Sequence, residues 1–380
     1  MQKGNADTST MSTSLSSCSI PVVARLLLPD DANVSGNVHG GTILQLMEQA
    51  GMIAATRHVN NNNNCNNETA GQQMAGLARI ETMTFHQPMF VGEIASVFAD
   101  VCFTSERSVL VQVAVRAENA VSAQQNERIT NTGLLWYVSY AIQRPGAEQE
   151  QQQVVAVPQV PIPNECDTKA WLEYQRFQTL YDSRKHQLEQ TTKHLDDLAC
   201  LQNDGCFCPS CRINYQFHDD SGDRRTPTDS HQRLCQLVLP SDCGTNDICF
   251  GGFVMKLMDN AAGCCAFSHC RTNVVTVSIS SMDFQSFVRR GDIVTIDAIL
   301  TYCSTKSMEI SVSASVVSAT REEPVPVARG TFTFVSLDAQ HKVVAVPPLR
   351  LETKEQVIQA SAAQQRYEAA KKARFAKAKQ

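Results

Sequence analysis

An acidic residue, Asp259, lies seven residues after the second glycine of the pair Gly251–Gly252. If a helix begins at the glycines, this carboxylate lies about two turns, or roughly 10 Å, along it. Its neighbours at helical spacing are apolar or small, namely Met255, Ala262 and Gly263. The charge therefore stands beside the apolar face, where a carboxylate can serve as a general base. A carboxylate at the edge of a solvated face is the alternative.

Glycine pairs precede two stretches with helical spacing, as Gly40–Gly41 and as Gly251–Gly252. Backbone N–H groups at a helix start have no partner within the helix, and glycine leaves them open to a ligand. Such groups could polarise a carbonyl oxygen or hold an anion. A tight turn with close packing against a sheet is the structural alternative.

These residues belong to an internal repeat. The segment from Leu28 to Glu48 reappears 211 positions later as Leu239 to Asp259, with Leu-Pro-x-Asp, Gly-Gly and Leu-Met in register. Further on the offset is 199, and the 12-residue difference fits an insertion at the asparagine tract of residues 60–67 in the first copy. Each copy closes with Val-Val-Ala-Val-Pro, at 154–158 and at 343–347. Two homologous domains of about 140 residues follow.

Each copy shows the same order of elements. Apolar residues at helical spacing follow each glycine pair, which predicts one long helix. Alternating and β-branched runs come next, at 94–103, 109–115, 293–300 and 308–317. One helix followed by strands is an α+β pattern in which an antiparallel sheet wraps the helix.

The sequence divides into five parts. A Ser/Thr-rich N-terminus (1–20), expected to be disordered, precedes the first domain (21–158). A helical linker with a Cys-rich loop (159–230) leads to the second domain (231–350), and a basic helical tail (351–380) follows. The purposes of the asparagine tract and of the linker are not indicated by their residues.

The two copies differ where chemistry is expected. Asn37 corresponds to Ile248, and Glu48 corresponds to Asp259. If the domains pair around a pseudo-twofold axis with antiparallel helices, the start of one helix approaches the middle of the other. Asn37 and Asp259 then share one pocket, and Ile248 and Glu48 share the reciprocal one. We expect one working site and one degenerate site.

These motifs resemble those of the cytosolic long-chain acyl-CoA thioesterases, the tandem hotdog family of the brain acyl-CoA hydrolase type. The resemblance covers roughly residues 22–143 and 231–347. Both copies, their order and the differences between them match the family. It implies a double hotdog fold, in which each domain is a long helix wrapped by an antiparallel β-sheet. It also implies a homotrimer of double-hotdog chains, with six hotdog domains, and a catalytic pair formed by Asn37 and Asp259.

The implied activity is hydrolysis of fatty acyl-CoA to free fatty acid and CoA, without a cofactor. Backbone amides near Gly40 and Gly41, with His39 beside them, would bind the substrate and its developing oxyanion. Asp259 would deprotonate the attacking water or attack directly to form an anhydride, and Asn37 would orient the water or the carbonyl. The preferred acyl chain length is not indicated.

Two other functions are compatible with the same fold. A non-catalytic acyl-CoA binder or sensor is one, although retention of Asn37 and Asp259 argues against it. The other is enoyl-CoA hydration, which ordinarily calls for an Asp/His pair. His39 is adjacent to the glycines, but Phe250 stands at its place in the second copy.

CoA carries phosphates, which predicts cations and hydroxyls at the mouth of the pocket. Six residues in matching turns are candidates: Ser105, Arg107, Ser108, Ser304, Lys306 and Ser307. Ordinary solvated hairpin residues are the alternative.

Charge and hydropathy exclude several classes of protein. With 33 Lys and Arg against 38 Asp and Glu, the net charge of -5 argues against a nucleic-acid backbone as the main partner. Apolar runs fall short of the roughly 20 residues of a membrane helix, so stable membrane insertion is not expected. Fifteen Cys scattered through apolar segments suit a reducing compartment, and we expect a cytoplasmic protein.

One cysteine cluster raises the question of a metal. Cys206, Cys208 and Cys211 have the spacing of half a zinc knuckle, with His218, His231 or Cys235 as a possible fourth ligand. Ordinary reduced thiols are the alternative, and no metal is assigned to the site.

Overall fold

The computed structural model describes residues 20–33, 36–61, 73–121, 127–141, 154–200, 225–244, 247–318 and 323–377, without the side chains of 186–200 and 373–377. The asparagine tract beyond Asn61 and the three cysteines of the half knuckle therefore lie outside the described residues.

The first domain is a helix packed on antiparallel strands. Its elements are β1 (Val23–Leu26), α1 (Gly40–Asn61), β2 (Gln73–Phe85), β3 (Glu93–Thr104), β4 (Ser108–Asn119) and β5 (Arg128–Ala141). Leu44, Met47 and Ala50 on α1 are fully buried against the sheet. The predicted helix start and both predicted strands of this copy are confirmed.

The second domain repeats this order. After α2 (Thr168–Cys200) and the short α3 (Pro227–Ser230) come β6 (Gln232–Leu237), α4 (Gly251–Cys270), β7 (Asn273–Ile279), β8 (Met282–Phe284), β9 (Ile293–Cys303), β10 (Ser307–Val317) and β11 (Val325–Leu337). The last helix is α5 (Lys354–Lys377). On α4, Met255, Met258 and Ala262 are fully buried against the sheet.

The strands of both domains form one 11-stranded sheet. Ten strands follow the order β1-β3-β4-β5-β2-β7-β11-β10-β9-β6, and β8 lies off this path, where it pairs with β11 and β2. The domains join where β2 pairs antiparallel with β7, at Met83 opposite Ile279, and with β8, at Arg79 opposite Asp283. The Arg79 guanidinium also binds the Asp283 carboxylate at 2.8 Å across this seam. The predicted α+β double hotdog is confirmed.

Two helices outside the repeat units cover the outer face of the sheet. Tyr174, Phe177 and Tyr181 of α2 pack against Phe103 and Trp136. In the same manner, Tyr367 of α5 contacts Tyr302, with ring centroids 5.6 Å apart. Within the described part of the chain, none of the helices combines the length and the apolar character needed to cross a membrane.

The helices α1 and α4 run antiparallel and touch at their glycines. A side-chain carbon added at Gly41 would lie 2.9 Å from Cα of Lys256, and one added at Gly252 would lie 2.8 Å from Cα of Gln45. Real Cβ atoms do not approach a neighbouring backbone this closely, so both contacts require glycine. Close packing is therefore one function of the glycine pairs.

We predict that Gly41→Ala destabilises the protein by about 1–3 kcal/mol, because its new methyl group overpacks the contact with Lys256. Gly263→Ala is the matched control, since its methyl would meet only Phe334, at 3.8 Å, and alanine favours the helix by up to about 1 kcal/mol. Urea unfolding of both variants measures the difference. Equal stability of the two variants would contradict the close contact.

Candidate active site

The carboxylate of Asp259 lies at the junction of the two domains. It is 1% exposed in the middle of α4, which excludes the edge of a solvated face. A side-chain carbon added at Gly40 would be 2.9 Å from its Oδ2 atom, so the start of α1 stands directly against it. The structure thus brings Gly40 and Asp259 together from separate domains.

In the part of the chain that the structure describes, two side chains contact this carboxylate. The hydroxyl of Thr276 on β7 donates a hydrogen bond of 2.8 Å to Oδ1. The Nδ1 atom of His39 lies 3.3 Å from Oδ2, and the Gly41 N–H approaches the same nitrogen at 3.1 Å. One ring nitrogen cannot donate to the carboxylate while accepting from Gly41, so the tautomer decides which contact is a hydrogen bond. In either case the imidazole ring is held facing Asp259.

Asn37 lies in the loop that leads into α1, two residues before His39. Its backbone N–H donates to Oδ1 of Asn33 at 3.2 Å, and its carbonyl accepts from the Asn33 N–H at 2.7 Å. An isolated bridge to Phe90 holds the other side of the loop. The position of Asn37 is therefore set by backbone contacts, which leaves its half-buried side chain available for another role.

Thr276 was not among the sequence candidates, although the repeat contains a signal for it. Its equivalent in the first copy is Leu77, at the same 199-residue offset that relates Met83 to Met282. The difference between hydroxyl and alkyl parallels that between Asn37 and Ile248. A systematic comparison of the copies at this offset would have found it.

The reciprocal pocket contains Ile248 and Glu48, the pairing that the repeat predicts. Both residues line one cavity of about 240 Å³ at the start of α4. Burial raises the pKa of Glu48 to about 7, while the backbone N–H of Gly252 acts in the opposite direction. Leu77 packs against Gly251 here, where Thr276 stands near Gly40 in the other pocket. The two sites are thus built from equivalent positions of the repeat and differ in chemistry.

The six CoA candidates lie in two hairpins. The hydroxyls within each hairpin bind each other: Ser105 to Ser108 at 2.6 Å and Ser304 to Ser307 at 2.8 Å. Arg107 and Lys306 are exposed.

The two hairpins stand differently toward the Asp259 pocket. The first is separated from Phe90, which bridges Asn37, by the whole of β3, or about 40 Å of extended chain. The structure therefore does not bring the first hairpin near Asn37 of its own domain. The second is close to the C-terminal end of α4, where Cys303 Sγ lies 3.6 Å from His269 Nε2. His269 is about 15 Å along the helix from Asp259. Measured through its own domain, the second hairpin is therefore nearer to the Asp259 pocket than the first.

In the described residues, no three side chains of His, Cys, Asp or Glu are grouped so as to hold a metal ion. Cys206, Cys208 and Cys211 are outside that part of the chain.

Comparison with known proteins agrees with this architecture. Residues 35–123 and 246–318 match the thioesterase superfamily, one region in each domain. The human cytosolic acyl coenzyme A thioester hydrolase is 35% identical over 341 residues, which are 89% of this chain and 80% of that protein. The rat protein of the same name is 35% identical over 336 residues, 88% of this chain and 78% of its own.

Among solved structures, an acyl-CoA hydrolase from Staphylococcus aureus in complex with butyryl coenzyme A is 29% identical. It covers 41% of this chain and 95% of its own, with a TM-score of 0.38. The length and identity of the matches to the human and rat proteins establish the relationship across both domains. This chain belongs to the family of the cytosolic acyl coenzyme A thioester hydrolases.

Proposed function

We propose that the chain hydrolyses fatty acyl-CoA to free fatty acid and CoA at a composite site between its two domains. The observation that carries the proposal is the buried carboxylate of Asp259, set against the start of a helix from the other domain at Gly40. A proton acceptor and a set of backbone N–H donors are the two components that thioester hydrolysis needs. Relatives that match about nine-tenths of the chain carry the name of this activity.

The start of α1 supplies the electrostatic part of the mechanism. The first N–H groups of a helix lack intrahelical acceptors and lie at the positive end of the helix dipole. A thioester carbonyl beside Gly40 and Gly41 would therefore receive hydrogen bonds as negative charge develops on its oxygen. Because both residues are glycine, no side chain blocks the approach.

Asp259 supplies the base or the nucleophile. The hydroxyl of Thr276 occupies Oδ1 and fixes the orientation of the carboxylate. Oδ2, which faces Gly40 and His39, is left to take a proton from water or to attack the thioester carbon and form an anhydride. Asn37 would hold the water or the carbonyl in line, and Thr276 would act as a positioning residue.

We expect Asp259→Asn and Asn37→Ala each to lower the turnover of palmitoyl-CoA by about 10²-fold or more, because each removes a group that acts on the reacting atoms. Thiol release measures the rate. Asp182→Asn makes the same change of acid to amide on the exposed face of α2 and should retain the wild-type rate. Near wild-type rates for both site variants would refute the proposed pair.

Thr276→Val should lower kcat by roughly 10- to 100-fold, since a hydrogen bond to a charged group contributes about 1.5–3 kcal/mol. KM should change little, because the hydroxyl holds the carboxylate and does not contact the substrate. Thr276→Ser keeps the hydroxyl and should restore most of the rate. A change confined to KM, or no rescue by serine, would exclude a positioning role.

One observation favours a second candidate, enoyl-CoA hydration. His39 and Asp259 approach to 3.3 Å and so form the Asp/His pair that hydration ordinarily requires. Incubation with crotonyl-CoA separates the two functions. Thiol release supports hydrolysis, whereas loss of the enoyl absorbance without thiol release supports hydration.

The CoA end of the substrate would contact the hairpin candidates. The second hairpin, with Ser304, Lys306 and Ser307, adjoins the end of the helix that carries Asp259, which supports it as a phosphate contact. The first, with Ser105, Arg107 and Ser108, is remote from Asn37 of its own domain, so it would serve a substrate bound elsewhere in an assembly.

We expect Lys306→Glu to raise KM for palmitoyl-CoA roughly 3- to 10-fold, since an exposed charge pair contributes on the order of 1 kcal/mol. Lowering of kcat should be smaller, because the contact is remote from the thioester. Lys169→Glu makes the same charge change at the exposed start of α2 and should leave KM unaltered. A fall in kcat with constant KM would argue against phosphate binding by Lys306.

For the assembly we retain the proposal of a homotrimer of double-hotdog chains, which carries six hotdog domains. For the cellular setting, the names of the relatives support fatty acid metabolism in the cytosol. The partners of the chain are then its small-molecule substrate, fatty acyl-CoA, and the two products, which it binds from and releases to the cytosol.

A further inference from the structure

The cavity at the start of α4 has no part in the proposed reaction. Both domains line it, with Leu77 and Met52 from the first and Val254, Ile248 and Phe287 from the second. Its volume of about 240 Å³ exceeds the roughly 150 Å³ at which an engineered apolar cavity binds benzene. The cavity is therefore large enough for an apolar ligand.

A single carboxyl group is buried in the wall of this cavity. Glu48 is 1% exposed, and its Oε2 atom makes no hydrogen bond of normal geometry among the described residues, although the Gly252 N–H is close enough to lower the pKa of the carboxyl group. A buried polar atom without a partner costs about 1–3 kcal/mol, which is unexpected in a pocket that serves only packing. The backbone of Gly252, at the start of the 20-residue α4, lies next to the same oxygen.

The remaining lining determines the class of ligand. Among the described residues that line the cavity, Glu48 is the only acidic one, and none is Lys, Arg or His. The phosphates of CoA would find no cation within the cavity. An apolar chain that ends in a small group able to share hydrogen bonds with a carboxyl group fits better.

We propose that this cavity is a binding site for a free aliphatic carboxylic acid with a chain on the order of ten carbons. The chain would lie among the apolar side chains, and the carboxylate would share the proton of the Glu48 carboxyl group. No covalent bond forms or breaks. The Gly252 N–H would contribute at the positive end of α4.

The polar side chains that surround Asp259 or are assigned to its reaction are replaced here. Ile248 stands at the position of Asn37, Leu77 at that of Thr276, and Phe250 at that of His39. The degenerate site therefore keeps the room for an acyl chain but lacks the side chains that would orient a water molecule, a thioester carbonyl or the carboxyl group itself. Such a site would bind a free carboxylic acid, which is the class of compound that thioester hydrolysis releases. Binding there does not require that this chain produce the acid.

The proton on Glu48 makes binding dependent on pH. Burial raises the pKa of Glu48 to about 7. The other titratable groups that face it are Tyr137 and Cys249, and burial raises the pKa of both, so that they stay neutral between about pH 6 and 9.

The direction in which the affinity changes with pH follows from which group holds the proton. The ligand carboxylate is ionised over this range, as free carboxyl groups titrate near pH 4. Below the pKa of Glu48 the shared proton is already present. Above it, binding requires uptake of one proton, and the affinity should fall by up to about tenfold per pH unit.

The test is a titration of the full-length protein with decanoic acid labelled with ¹³C at the carboxyl carbon, followed by NMR between about pH 6 and 9. The wild type should show a bound signal whose affinity falls above neutral pH. Glu48→Gln should bind without that fall, because its amide donates at every pH. Asp259→Asn, the matched change in the other pocket, should keep the pH-dependent signal.

A second variant tests the site without removing Glu48. A side-chain carbon at Gly76 would point at the rings of Tyr140 and Phe287, both of which line the cavity, so Gly76→Leu should fill it and abolish the signal. Circular dichroism verifies that each variant is folded.

Absence of a bound signal in the wild type would overturn the proposal, as would a pH-independent affinity or a fall that persists in Glu48→Gln. Competition in the Asp259→Asn variant tests the choice of a free acid. If decanoyl-CoA displaced the labelled acid as well as unlabelled decanoic acid does, the cavity would be assigned to the CoA thioester and the choice of a free acid would be overturned. If the wild type did not hydrolyse acyl-CoA, the proposed function would be refuted, but a bound signal for decanoic acid would still support the binding site.

Discussion

The contact between α1 and α4 is the constraint on which both pockets depend. Glycine at positions 41 and 252 lets the two antiparallel helices approach until backbone meets backbone. This approach places the start of each helix, with its outward N–H groups, beside the carboxyl group in the middle of the other. A wider separation would leave Asp259 and Glu48 without the helix start that each now faces.

The duplication allows the two pockets to diverge while the packing that creates them stays symmetric. In one, Thr276 and His39 surround an acidic side chain with polar contacts. In the other, Leu77 and Phe250 stand in their places, and Glu48 is buried with an oxygen unpartnered among the described residues. Burial outweighs the opposing effect of the Gly252 N–H and favours the neutral acid at Glu48. The two acidic residues therefore have different surroundings in the two halves.

Much of this architecture could be predicted because the repeat supplies two independent examples of one pattern. The helix starts at Gly40 and Gly251, the four main strands and the pairing of Glu48 with Ile248 all follow from it. The catalytic roles of Asn37 and Asp259 stay a prediction. The structure brings Asp259 to His39 and Gly40, whereas the contacts found for Asn37 are made by its backbone.

Other features depend on long-range packing that no local pattern specifies. The edge pairing of β2 with β7 is one, and the hydrogen bond from Thr276 to Asp259 across elements is another. The covering of the outer sheet by α2 is a third, because an amphipathic helix in a linker does not identify the surface that it meets.

The most direct test of the composite site is a crystal structure of the Asp259→Asn variant with palmitoyl-CoA bound. The account predicts the thioester carbonyl within hydrogen-bonding distance of the first backbone amides of α1, with the side chains at 37 and 259 on either side of the carbonyl carbon. A thioester bound instead beside Glu48, or the side chain of Asn37 in a cavity separate from position 259, would contradict it.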